Sequence, residues 1–211
     1  MTLSSGPARP VIIGRSSSHF TRVTRIFAAE LEVDCGFQVA PDLMSVNPLD
    51  YGNNPALRLP ALQTAAGVWF GALNICRELA RRSHAGRRVV WPEQLETPLL
   101  ANAQELTLQA MSTEVALIMA GLGGSAVGPH PGKMRQSLLN SLAWLDDNVA
   151  EVIEGLPAER DVSFLEVTLL CLVTHLEFRD VLPVISYARL AGFRRAFETR
   201  PSVVATPFVF D

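Results

Sequence analysis

Cysteine is scarce in this sequence: Cys35, Cys76 and Cys171 are dispersed and no CxxC pair occurs. An odd, scattered set argues against a disulfide framework or a cysteine-rich zinc site, and fits a reducing cytoplasm in which the thiols are small buried hydrophobes. An excess of charge is also missing, with 18 Lys plus Arg against 21 Asp plus Glu and a net charge of −3. A nucleic-acid binder that relies on neutralising phosphates is not expected from that balance. The densest apolar run, Val167 to Val173, is far shorter than the roughly 20 residues that cross a bilayer, so no membrane association is expected. The first ten residues, MTLSSGPARP, lack the apolar stretch of a secretory signal and are expected as a flexible lead-in. Catalytic signatures are few as well. His84, His130 and His175 lie far apart with no HxxxH or HExxH spacing, so no metal site is expected, and His175 fits a satisfied core histidine. GLGGSAVG has neither the spacing nor the context of a dinucleotide fingerprint, and neither a GxSxG elbow nor a phosphate loop is present.

What is present is apolar: 48% hydrophobic against 18% charged residues, with a mean hydropathy of +0.22. That excludes a disordered chain and points to well-buried helices or a subunit interface. The 211 residues allow one large domain or two small ones, at roughly 100–200 residues each. The first 80 residues read β-α-β-loop-β-β-α. Pro10-Val-Ile-Ile-Gly14 is a buried strand, Ser16 to Ser18 can cap a helix, and Val23, Ile26, Phe27 and Leu31 recur at helical spacing. Phe37 to Val39 suits a second strand, and the Pro-, Asn- and Gly-rich stretch from Pro41 to Pro55 is irregular. Pro60 to Thr64 and Gly67 to Phe70 read as strands around a tight turn, followed by the helical stripe Ala72, Ile75, Cys76 and Leu79.

The remainder is helical. Leu99 to Ala120 is one helix, and the glycines and prolines between Gly121 and Gly132 predict a loop or sharp connection. Met134, Leu138, Leu142, Leu145, Val149 and Val152 advance in steps of 4, 4, 3, 4 and 3, an amphipathic helix. Ser163 and Glu166 match a capping box ahead of a helix that is apolar on every side from Val167 to Leu176 and should be central. A last helix spans about Ile185 to Glu198 and stops before Pro201. The expected boundaries are a flexible segment 1–9, an α/β domain 10–82, a linker 83–93 and an all-helical domain 94–211.

Four segments in this order resemble the glutathione S-transferase superfamily, in particular its bacterial-type members. SSSHFTRVTRIFAAEL (16–31) is similar to the start of the first family helix, and NNPALRLPAL (53–62) to an Asn-Pro-x-x-x-x-Pro-x-Leu segment. GVWFGALNICREL (67–79) resembles the strand and helix that follow, and DVSFLEVTLLCLVTHLEFRD (161–180) the capped central helix of the C-terminal domain. The resemblance implies a thioredoxin-like N-terminal domain, an all-helical C-terminal domain, a homodimer, and glutathione as co-substrate against a small apolar electrophile, with detoxification as the general role.

It also implies a site. Glutathione chemistry needs a thiolate, and a helix N-terminus lowers thiol pKa because free backbone N–H groups favour the anion. Ser18, seven residues before Arg25, occupies the reactive position, with Ser16 and Ser17 close enough to compete for it. A serine there forms no mixed disulfide, which favours conjugation or isomerisation over thiol reduction, and Cys35 is a poor substitute. His19 stands where a proline often follows the reactive residue; it could assist a proton transfer, but it fits a polar rim position better. Pro60 matches a cis proline whose predecessor, Leu59, pairs with the cysteinyl backbone of glutathione. Gly71-Ala72 stands where the family usually carries an acid or Gln followed by Ser, so both side chains that would hold the γ-glutamyl group are gone. Each such hydrogen bond to a charged group is worth about 1.5–3 kcal/mol. His19, Phe20, Met111, Glu114, Val115 and Ile118 are candidate electrophile-pocket residues, with 121–132 as a lid. Two alternatives stand beside the enzyme: the same fold kept as a non-catalytic binding module, or an enzyme for another thiol or acidic small molecule.

Overall fold

Three β-branched residues in a row favour an extended chain, and Val11–Gly14 is strand β1, with Ile12 and Ile13 buried. The protein is represented by a computed structural model that describes residues 9–124, 127–181 and 186–211. They fall into two units, one running to Arg87 and taking in Arg200–Asp211, the other spanning Arg88–Thr199.

In the first unit β1 is followed by helix α1 (His19–Glu30), whose buried stripe is Val23, Ile26 and Phe27. The Ser18 hydroxyl accepts from the Thr21 N–H at 3.3 Å and so satisfies one of the free donors of the first turn. Strand β2 (Gly36–Val39) comes next, then a 3-10 turn at Pro48–Tyr51 within the stretch expected to be irregular. Strands β3 (Ala61–Thr64) and β4 (Gly67–Phe70) and helix α2 (Ala72–Arg82) complete the α/β order expected from the sequence. The sheet order is β2-β1-β3-β4, with β1 and β2 parallel and the other pairs antiparallel. Helices α1 and α2 pack on each other, α1 also meets β1, and α2 meets β3 and β4. Gly14 is required at the end of β1, because a Cβ there would lie 2.4 Å from the Thr21 side chain. A short helix, Pro201–Val204, returns to this unit and packs on α1.

The second unit is helical, as expected, apart from a two-residue parallel pairing of β5 (Val89–Val90) with β6 (Val162–Ser163), too short to leave a pattern in sequence. Helix α3 (Pro98–Leu122) is capped by the Thr97 hydroxyl, which accepts from the Leu100 N–H. Helix α4 (Pro129–Gly155) buries Leu138, Leu142, Leu145, Val149 and Val152. The loop expected over 121–132 is therefore shorter: α3 runs through Leu122 and α4 begins at Pro129. Pro129 and Pro131 lie in the first turn of α4, where the N–H they lack would have no intrahelical partner. Residues 125–126 of that stretch lie outside the described residues.

Helix α5 (Phe164–Phe178) is buried almost throughout and packs against α3. The Ser163 hydroxyl accepts from the Glu166 N–H at 3.0 Å, while the Glu166 carboxylate is held by Arg160. Helix α6 (Ala188–Phe197) packs on α4 and α5 and ends before Pro201, as expected; its expected start at Ile185 lies outside the described residues. With Pro201–Val204 as α7 in the first unit, the architecture is a thioredoxin-like unit and a helical one that carries the short β5–β6 pair.

Candidate functional site

The sheet register determines what meets at the carboxyl end of β1. Ile13 pairs with Ala61, and Ala61 with Phe70. Gly14, Pro60 and Gly71 are the next residues outward from these pairs, and the Gly71 N–H donates to the Pro60 carbonyl at 3.3 Å. Three separate sequence segments thus leave the sheet at the same end of its strands: the turn Arg15–Ser18, the Leu59–Pro60 pair and the start of α2. The Leu59–Pro60 peptide is cis, as the resemblance implies.

The three serines differ in their surroundings. Ser18 caps α1, the structural role open to any serine at that position. The Ser16 N–H donates to the Asp211 carboxylate at 2.8 Å, and its hydroxyl accepts from Arg25 Nη1 at 3.4 Å. Ser17 is half-buried between them. His19 is buried at the first position of α1, its ring edge-on to Phe20 at 4.6 Å, rather than the polar rim residue expected.

At the start of α2, Gly71 has φ +82° and open space where a Cβ would stand, and its position supplies no side-chain cap. The first N–H groups of α2 have no intrahelical acceptors, which makes this helix end receptive to an anion. The Asn74 amide turns back to the Phe70 carbonyl at 3.2 Å.

Arg15 and Asp211 carry no signal in the sequence, and with Arg25 they place charge at the serine turn. Arg15 Nε lies 3.2 Å from Asp211 Oδ1, and Arg15 Nη1 donates to the Ala40 carbonyl at 2.7 Å. The Arg25 guanidinium stacks over Phe37 at 4.7 Å. Burial pulls Arg25 below the usual arginine value, and the charge of Asp211 works in the opposite direction.

In the second unit, Met111 and Glu114 are buried on α3, and Val115 and Ile118 are half-buried. Glu114 Oε1 lies 2.7 Å from His175 Nδ1, so the core histidine is satisfied by a carboxylate. The three cysteines form no disulfide. Burial, with Asp34 adding to it, pushes the Cys35 thiol up to about 11, which makes it a poor nucleophile.

No family model matches the chain, and no curated protein does. Solved structures do. A glutathione S-transferase from Methylobacillus flagellatus KT with GSH bound superposes with a TM-score of 0.76 at 19% identity, over 95% of this chain and 100% of the other. One from Methylobacterium radiotolerans, in complex with glutathione sulfonate, gives 0.72 at 17% identity over 96% and 97%. A glutathione transferase family member from Pseudomonas fluorescens Pf-5, with bound S-(propanoic acid)-glutathione, gives 0.70 at 19% identity over 94% and 99%. The β-α-β-β-β-α unit and the helical unit described above together make up the glutathione S-transferase fold.

Proposed function

We propose that the chain binds glutathione in its first unit and uses the thiolate against a small apolar electrophile. The observation that carries this is the convergence of Arg15–Ser18, Leu59–Pro60 and Gly71–Ala72 at one end of the sheet. Chain segments with an open N–H-rich helix end on one side and hydroxyls at a second helix N-terminus on the other suit a peptide-like thiol. In this proposal the extended backbone at Leu59 pairs with the cysteinyl unit, and the first N–H groups of α2 attract the γ-glutamyl carboxylate. A hydroxyl of the Ser16–Ser18 turn, Ser18 by the resemblance, donates to the sulfur. The dipole of α1 and that donated hydrogen bond favour the thiolate over the thiol, so the anion is present near neutral pH. The thiolate then forms a C–S bond at the electrophilic carbon as that carbon's leaving group departs with the electron pair of the broken bond, and no covalent bond to the protein is needed. Phe20 on α1 is proposed to face the electrophile; of the other expected pocket residues, His19, Met111 and Glu114 are buried, and Glu114 is paired with His175. A homodimer acting in the cytoplasm is proposed on the resemblance.

A second proposal, a non-catalytic binding module, is favoured by one observation: neither Gly71 nor Ala72 offers a side chain to the γ-glutamyl group. Calorimetric titration with reduced glutathione separates the two. Binding in the micromolar to low-millimolar range, followed by loss of conjugation in Ser18→Ala, supports the enzyme. Absence of heat at about 10 mM glutathione, repeated at two temperatures, overturns it in favour of the module.

A further inference from the structure

We propose that Asp211 latches the segment from Arg200 to Asp211 across the β1–α1 turn, and that its carboxylate competes with a carboxylate of glutathione for the Ser16 N–H, Arg15 and Arg25. The inference rests on the glutathione reading above and adds a regulation of that same site.

The latch is a built contact. The Asp211 side chain is only 19% exposed, with one oxygen 2.8 Å from the Ser16 nitrogen and the other 3.2 Å from Arg15 Nε. Arg25 adds a second positive charge that senses Asp211 and reaches the hydroxyl of the same serine. A backbone N–H flanked by two guanidinium groups is a set of donors for a carboxylate, and hydrogen bonds to such a group are charge-assisted. These donors belong to the turn that carries the candidate serines, so whatever carboxylate they hold lies beside the proposed thiol position.

The segment has separate anchors nearer its start. Arg200 forks onto Glu30, with both N···O distances at 2.8 Å, and Ser202 donates to the same carboxylate. Arg22 donates to the Val203 carbonyl at 3.4 Å, and its guanidinium lies over the Phe208 ring at 4.4 Å. Release of Asp211 therefore leaves α7 docked through Arg200, Ser202 and Val203, and beyond α7 no helix or strand is formed. Such a latch acts as a tethered competitor: only the fraction of molecules with the latch open binds ligand, and apparent affinity falls by that fraction.

The test compares the full chain with Asp211→Ala and with a deletion of Phe208–Asp211, each checked for unchanged thermal unfolding. Amide exchange at Ser16 is followed by NMR without ligand, and glutathione affinity is measured by calorimetry. The expected result is Ser16 exchange about tenfold faster in both variants and glutathione binding tighter by about three- to tenfold. Unchanged Ser16 exchange overturns the latch. Equal or weaker glutathione binding in the variants, with measurable binding in the full chain, overturns the competition while the functional proposal stands. Failure of every form to bind at about 10 mM overturns both.

Discussion

Arg160 and Glu166 face each other as a fork, with Nε 2.9 Å from Oε2 and Nη2 2.7 Å from Oε1, and both side chains are at most 15% exposed. The same guanidinium donates to the carbonyls of Ile153, Leu156 and Pro157, so one side chain joins the end of α4 to the first turn of α5. Removing one partner of a buried pair leaves the other charge uncompensated, a loss of about 3–5 kcal/mol. Arg160→Ala and Glu166→Ala should each lower the unfolding free energy read from urea titration by about 3–5 kcal/mol, and the double variant should lose less than the sum. Additive losses in the double-mutant cycle would refute the coupling.

The anchor at Glu30 should depend on pH. Burial alone would raise this carboxyl, but hydrogen bonds from Arg200 and Ser202 and the nearby Arg200 and Arg87 charges outweigh it and hold the group below its ordinary value near 4.5. A depressed carboxyl stabilises the fold fully above its unfolded pKa, and the contribution is lost as pH falls through the lower folded value. Cleavage of the 200–211 segment by an acid-tolerant protease should therefore rise as the pH falls below the ordinary value of 4.5. Glu30→Gln should already show raised cleavage at neutral pH. A variant as resistant as wild type at neutral pH would remove Glu30 from the anchor.

Gly71 and Ala72 give the glutathione proposal a gain-of-affinity test. Ala72→Ser adds a hydroxyl at the α2 N-terminus without disturbing the backbone and should tighten glutathione binding about tenfold, the equivalent of one hydrogen bond to a charged group. Gly71→Glu has room, but its backbone sits at φ +82°, where a side chain costs about 1–2 kcal/mol. The double variant should bind more tightly still and unfold at a lower temperature. Calorimetry and thermal melts read both effects, and unchanged affinity in Ala72→Ser would count against this register of the site.

The Cys35 thiol, pushed up from 9.0 to about 11 by burial and by Asp34, should alkylate slowly. At pH 8 its thiolate fraction is about 100-fold below that of an ordinary thiol, and labelling by iodoacetamide should slow accordingly. Asp34→Asn should recover part of the rate. Rapid labelling of Cys35 in the native protein, read by peptide mass spectrometry, would contradict this.

Local periodicity and punctuation determined the kind and order of the main elements. The strand of Val11–Gly14, the stripe Val23, Ile26, Phe27, the Leu138-to-Val152 ridge and the wholly apolar α5 are legible because burial of a helix face or strand repeats at a fixed spacing. The candidate serines, Leu59–Pro60 and Gly71–Ala72 are legible as residues on the same grounds plus resemblance. Their convergence is not, since it follows from strand pairing: the register of β1 with β3 and of β3 with β4 depends on which side chains pack across the whole sheet. The ends of α3 and α4 escaped for a similar reason, because prolines signal a break in sequence but are accommodated in a first helical turn once tertiary packing starts the helix there. Arg15 and Ser16 meet Asp211 across almost the full length of the chain, and Arg25 reaches the hydroxyl of the same serine. Charge pairs at that separation leave no periodic trace, and only the return of Arg200–Asp211 to α1 brings them together.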